Sequence, residues 1–146
     1  MRISAVLCVG VFCLTSPMAL GADLKSDVQA AYEAFNEAFN KGDAAGVAAF
    51  YTDDAKLLPP THDVLTGPAG AEQFFTGLFE AGVTNHDLEI IEVYGDADAD
   101  LAYSAANWTA TGKGQDGSEQ QIGGIAVHGF ERQSDGSLKL NLHTFN

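Results

Sequence analysis

Cysteine is scarce in this chain: Cys8 and Cys13 are the whole supply, and both lie within the first 22 residues. The remainder has no thiol, which excludes disulfide staples, thiolate nucleophiles and cysteine-ligated metal sites from it. Positive charge is scarce as well, with 7 Lys and Arg against 20 Asp and Glu and a formal net charge of −13. No basic stripe interrupts that acidity. A surface of this sign repels phosphate backbones and anionic lipid, so nucleic-acid partners are excluded. A long apolar run is also missing. The run from Ile3 to Leu14 falls short of the roughly 20 residues that cross a bilayer as a helix.

What that run does fit is an export signal. Arg2 supplies a positive start, Pro17 breaks the apolar stretch, and small residues surround Ala19-Leu20-Gly21-Ala22. Residues 1–22 are therefore expected to be a cleaved signal peptide, and the protein to be periplasmic or secreted, with no membrane attachment after cleavage. A retained membrane anchor is the competing reading. Removing Arg2 takes the formal charge from −13 to −14, since residues 1–22 carry no other charged side chain. The mature domain, residues 23–146, is 146 − 22 = 124 residues long, enough for one core and not two.

Within that domain the hydrophobic periods change once. Val28, Ala31, Tyr32, Phe35, Ala38 and Phe39 recur at helical spacing over Asp23 to Lys41. Gly42 stops that helix, and Asp43 caps a second, shorter one through about Tyr51, broken by Thr52-Asp53-Asp54. A short strand, Ala55 to Leu58, ends at Pro59-Pro60, and Val64-Leu65 can pair back with it. Gly67-Pro68 opens a third helix, which buries Phe74, Phe75, Leu78 and Phe79 and ends at Gly82. From Thr84 onward the pattern reads as four strands: Asp87–Tyr94, Leu101–Thr111, Glu119–Arg132 and Ser137–Phe145. Turns rich in Asp and Gly join them into an antiparallel meander. The expected architecture is α+β, with three N-terminal helices packed on a curved antiparallel sheet as a cone open at one end.

The stretches AFNKGDAAGVAAFYTDDAKLLPP, LTGPAGAEQFF and FERQSDGSLKLNLHTFN resemble the SnoaL-like, ketosteroid-isomerase-like branch of the nuclear-transport-factor-two superfamily. The likeness spans nearly all of residues 23–146, but its motifs are structural: Gly42-Asp43 between helices, Asp53-Asp54-Ala55 entering a strand, and Asp135-Gly136 turning the last hairpin. It identifies a fold better than a reaction. Ketosteroid isomerases use an aspartate base with a tyrosine and a protonated aspartic acid that hydrogen-bond the enolate. The resemblance puts those positions at Leu58 (base), Phe35 (tyrosine) and Ala126 (acid). None of the three polar groups is present, so steroid isomerisation by that mechanism is not expected.

Candidate site residues follow from strand alternation. If the last two turns are of even length, His128 falls opposite Asn141, and both His143 and Asn107 fall opposite Ala126. One face then carries Tyr103, Asn107, Ala126, His128, Phe130, Asn141, His143 and Phe145. The other carries Trp108, Ile125, Val127, Leu138, Leu140 and Leu142. Either face can be the core. The resemblance implies that the Ala126 and Phe145 side lines the cone and the aliphatic side forms a homodimer contact. The expected ligand-binding set is Tyr32, Phe35, Leu58, Tyr103, Asn107, Ala126, His128, Asn141, His143 and Phe145.

His128 and His143 are the weak catalytic candidates, as an acid–base pair titrating near pH ~6.5. Two other roles stay open for them: strand histidines bonded to their neighbours, or metal ligands completed by His62 or Asp63. No histidine spacing favours metal, and neither a metal nor a cofactor is expected. Asp96-Ala97-Asp98-Ala99-Asp100 lacks the glycine and glutamate of a calcium loop. Asn107-Trp108-Thr109 matches a glycosylation acceptor by chance, in mid-strand. The leading expectation is an exported domain, homodimeric, holding a small apolar or amphipathic molecule. The alternatives are an acid–base enzyme (isomerase, dehydratase or hydrolase) using His128 or His143, and a homo-oligomeric interaction domain.

Overall fold

A computed structural model describes residues 23–146; the expected signal segment, residues 1–22, lies outside the described residues. Helix α1 (Leu24–Asn40) starts where the Asp23 carboxylate accepts the Lys25 amide at 2.8 Å, and it buries Val28, Tyr32, Phe35 and Phe39. Its partner α2 (Ala44–Ala48) is capped by Asp43, which accepts the Gly46 amide. Strands β1 (Tyr51–Leu58) and β2 (Leu65–Thr66) come next, then α3 (Gly67–Glu80). The remainder is the meander β3 (Thr84–Tyr94), β4 (Leu101–Lys113), β5 (Glu119–Arg132) and β6 (Leu138–Phe145).

Several strand ends differ from the sequence reading by one to three residues, β3 starting at Thr84 and not Asp87 among them, and the largest difference is at the start of β1. The second helix does not reach Tyr51, and the first strand begins there, four positions before Ala55. The cause is tertiary. Tyr51 pairs with Leu140, the Leu140 amide donates to the Phe50 carbonyl at 2.7 Å, and the Tyr51 ring is buried. Pairing with β6 outweighs a helical preference that is weak at Tyr and Thr.

The sheet runs β2-β1-β6-β5-β4-β3, antiparallel throughout except that β1 lies parallel to β6. It curves around the helices without closing. Phe35, Phe39 and Phe75 fill the space between, with Phe39 edge-on to Phe79 at 4.9 Å and Phe35 edge-on to Phe75 at 5.8 Å. Such contacts add to the burial of the rings themselves. Beside the start of α1, Arg132 ties three segments. Its guanidinium donates to Asp27 of α1, to the Ala97 carbonyl and to the Gly136 carbonyl, at 2.9 to 3.1 Å.

The faces of the sheet follow a register that the sequence reading did not foresee. Both hairpin turns are odd, not even. Gly114 bonds to Ser118 around Gly117 (φ 81°), and Gln133 bonds to Ser137 around Gly136 (φ 86°). In each, a glycine takes the left-handed conformation of a three-residue hairpin loop. Ala106, not Asn107, therefore lies opposite Ala126. Leu138 and Leu140 face inward with Phe130, and Leu140 is buried in the core. Between Phe130↔Leu140 and Gly129↔Leu142 the register shifts by one, leaving Asn141 as the extra residue of a β-bulge. Beyond the bulge His128 lies directly opposite His143, not Asn141.

Gly129 accommodates this bulge. A methyl group there would sit 2.5 Å from Asn141 Oδ1 and 3.1 Å from the Leu142 Cβ. Gly129→Ala should destabilise the domain by about 1–3 kcal/mol, the usual scale of overpacking. Asn141→Ala in the same chain should return part of that loss. Urea denaturation of both variants measures the coupling, and strictly additive losses would contradict the proposed clash.

Candidate functional site

The bulge places two histidines in one row of side chains on the concave face. Ser104 of β4, His128 of β5 and His143 of β6 are register partners across adjacent strands, and all three are buried. Their same-face neighbours along the strands are Ala102 and Ala106 beside Ser104, Ala126 and Phe130 beside His128, and Phe145 beside His143. Two tyrosines from other elements reach it. Tyr32 of α1 brings its hydroxyl to the Ser104 hydroxyl and, at 2.7 Å, to Nδ1 of His128. Tyr51, at the start of β1, brings its hydroxyl to within 2.6 Å of Nδ1 of His143. The two imidazole centroids are 4.5 Å apart.

A third histidine comes from β3. His86 lies on the same side as Leu88 and stacks on Phe39, with centroids 4.4 Å apart. Its Nδ1 meets Asn36 Oδ1 at 2.8 Å, while Asn40 grips its backbone amide and carbonyl. All three histidines line a cavity of about 80 Å³, together with Phe35, Phe39, Phe75, Leu88, Ala126 and Phe145. Half-exposed Leu78, Val83, Trp108 and Ile122 form its mouth, at the end of the cone away from Arg132. Among the described residues, Nε2 of each imidazole makes no hydrogen bond to protein.

Electrostatically the site is built to stay uncharged. Burial pushes the His128 imidazole down to about 3, with His86 nearby adding to the effect. Burial takes His86 down to about 4 against the opposing pull of Asp87. His143 is held well below the ordinary imidazole range by burial first, then by His128 and His86. The same burial raises Tyr32 to about 12 and Tyr51 well above the usual phenol value. Each group is therefore in its neutral form at pH 7.

The expected site residues divide. Phe35, Ala126, His128, His143 and Phe145 come together on the cavity wall. Tyr32 stands behind His128 as its hydroxyl partner, not on the wall. Tyr103 and Asn107 point to the opposite, exposed face, because the odd β4–β5 turn puts them opposite Gly129 and Ile125. Asn141 is the bulged residue, and Leu58 sits at the end of β1, where its carbonyl accepts from Thr144; neither lines the cavity. Trp108, Leu138 and Leu140, expected on the far face, lie on the helix side. His62 and Asp63 are exposed in a loop, and among the described residues no three His, Asp or Glu side chains converge on a metal-sized site.

Sequence reasoning missed His86, Ser104 and Tyr51. Counting back by twos from buried Leu88 would have reached His86, had the strand been started before Asp87. Ser104 was signalled by the small residues Ala102, Ala106 and Ala110 at the same parity. Tyr51 was hidden by the helix assigned over it.

A fold of this kind, with a curved open sheet wrapped on helices, matches many solved structures. The model of the SnoaL-like domain matches residues 32–139, and the chain belongs to that family. A ketosteroid isomerase-like protein from Erwinia carotovora atroseptica superposes with a TM-score of 0.71 at 24% identity, over 82% of this chain and 92% of that one. A putative calcium/calmodulin-dependent protein kinase II association domain from Xanthomonas campestris gives 0.69 at 22%, over 82% and 84%. An NTF2-like protein with a cystatin-like fold from Novosphingobium aromaticivorans gives 0.66 at 15%, over 84% and 82%. No curated protein matches the sequence. At these identities the structural likenesses establish the fold alone.

The buried neutral histidines carry a stability signature. Unfolding returns each to a pKa near ~6.5, so below that pH the unfolded chain takes up protons that the folded one refuses. Stability present above pH ~6.5 should fall as pH drops toward about 4, by up to about 1.4 kcal/mol per pH unit for each histidine. Urea unfolding at pH 7, 6 and 5 reads this, and His128→Leu should shallow the dependence. A pH-independent stability across that range would refute neutral burial.

Proposed function

We propose that this SnoaL-like domain is an exported small-molecule binder whose cavity takes the compact end of a neutral ligand. One observation carries the reading: an aromatic-walled cavity lined by three uncharged imidazoles whose outer ring nitrogens, among the described residues, have no protein partner. Apolar walls with a few convergent polar groups are the usual make-up of a ligand site. A cavity of about 80 Å³ is well below the roughly 150 Å³ that accepts benzene. A larger ligand would extend through the mouth past Trp108 and Ile122. The absent isomerase trio and the size both weigh against a steroid.

The acid–base alternative has less support. Imidazoles held at about 3 and 4 have no proton to give at neutral pH, and an efficient general acid is tuned near the working pH. Export rests on Arg2 and the apolar run Ile3 to Leu14. A homodimer rests on the convex sheet face, where Tyr94, Tyr103, Ile125 and Val127 are 62%, 50%, 41% and 37% exposed. Leu140, being core, is not part of that face.

Native mass spectrometry of the secreted protein tests the reading. The expected species is a dimer carrying a small releasable mass, lost in Ala126→Leu, whose longer side chain fills the cavity. Val127→Asp should give a monomer that keeps the folded emission of Trp108. A bare protein whose Trp108 fluorescence ignores small ketones and phenols would overturn the binder reading, and an undisturbed dimer in Val127→Asp would overturn the proposed contact.

A further inference from the structure

We infer that the three cavity histidines are locked in opposite tautomers, two as donors and one as an acceptor, so that the ligand's buried end carries both a hydrogen-bond acceptor and a hydrogen-bond donor, as an amide, lactam or enolised carbonyl does. This rests on the binder reading above and names the ligand's chemistry.

The tautomers follow from counting hydrogens on buried groups, which are rarely left unpaired. The Tyr51 hydroxyl is buried and, among the described residues, has one hydrogen-bond partner, Nδ1 of His143. If Nδ1 carried the hydrogen, the phenol hydrogen would have no acceptor. Tyr51 therefore donates, and His143 holds its proton on Nε2. The chain at His128 gives the same result with one more link. The Ser104 hydroxyl donates to Tyr32, and Tyr32 donates to Nδ1 of His128, which uses both hydroxyl hydrogens. The reverse order strands the hydrogen of buried Ser104. His128 thus also turns an N–H toward the cavity, from a ring 4.5 Å from that of His143. One carbonyl oxygen, with two lone pairs, can accept from both.

His86 is set the other way. A carboxylate only accepts, so the Asn36 amide nitrogen must face Asp87, which it meets at 3.2 Å. That leaves Asn36 Oδ1, also only an acceptor, against His86 Nδ1 at 2.8 Å. His86 must carry its proton on Nδ1, and its Nε2 offers a lone pair to the cavity. The cavity is therefore polarised, with donors on the β5–β6 side and an acceptor on the β3 side. Because burial keeps all three rings neutral, the matching ligand group is a neutral one.

Two measurements test this. Long-range proton–nitrogen NMR of the nitrogen-15-labelled protein at pH 7 should show His86 protonated at Nδ1 and His128 and His143 at Nε2. His86 protonated at Nε2, or His143 at Nδ1, would overturn the inference whatever the ligand. The second follows Trp108 fluorescence with three rings of one size: 2-pyrrolidinone, cyclopentanone and cyclopentane. The lactam should bind at least tenfold more tightly than the ketone, and Asn36→Leu, which frees Nδ1 of His86 from its acceptor, should lose most of that preference, whereas Tyr51→Phe should weaken both rings. Equal binding of all three rings would leave the binder reading standing and remove the donor–acceptor match. Binding of none, with the tautomers as expected, would overturn the binder reading and the ligand class with it.

Discussion

The site depends on one extra residue in β6. Without the bulge at Asn141, the odd turn at Gln133–Ser137 would set His128 opposite Leu142 and send His143 to the convex face, because a one-residue slip reverses every side chain beyond it. The insertion restores the parity and brings the two imidazoles into one row. It also constrains a neighbour: a side chain at Gly129, across the kink, would press on Asn141 Oδ1 and the Leu142 Cβ. Bulges are common beside functional sites because they re-aim a side chain while the ladder continues on both sides. Here the re-aimed side chain is His143.

With two imidazoles buried side by side, charging either is disfavoured, and the surroundings are arranged so that neither needs to be charged. Burial disfavours the imidazolium, and a second protonated ring 4.5 Å away would add like-charge repulsion. Tyr32 and Tyr51 satisfy the inner nitrogens without bringing charge. Among the described residues no carboxylate is hydrogen-bonded to His128 or His143, and such a carboxylate would have favoured protonation. The acidity of the chain, −13 overall, is kept to exposed loops and faces. The surface charge and the neutral interior are thus separate features, and the first gives no information about the ligand.

Much of the architecture was legible because it is carried by local signals. The stripe Val28–Phe39, the stop at Gly42, the Gly67-Pro68 helix start and the Asp-Gly turns each report their element from within a few residues. What could not be read was register. Turn parity depends on whether a glycine closes three residues or four, and the bulge at Asn141 has no mark in composition. The shared face of His128 and His143 was foreseen from an even turn. The structure reaches that face through an odd turn and a bulge, two steps that cancel for His143 but not for Leu138 or Leu140, while Tyr103 and Asn107 are moved by the separate odd turn between β4 and β5. The start of β1 was hidden for a related reason: Tyr51 becomes a strand residue through its pairing with Leu140, 89 positions further along (140 − 51).

The comparison with ketosteroid isomerases is then a matter of where the polar groups stand in a shared fold. That chemistry needs a charged base and two acidic donors at the cavity wall, and the positions the resemblance assigns to them here are Leu58, Phe35 and Ala126. With Phe35 and Ala126 apolar on the wall, its polarity comes from the imidazoles. The tyrosines stand one layer back, with their hydroxyls on the inner nitrogens of His128 and His143. A donor made from a neutral imidazole is weaker than a protonated carboxylic acid, and an acceptor with a depressed pKa is a poor base. Such groups recognise a neutral polar function better than they stabilise an enolate. The shared fold therefore carries a different polar equipment at its cavity wall, which is why likeness of fold does not transfer the isomerase reaction to this chain.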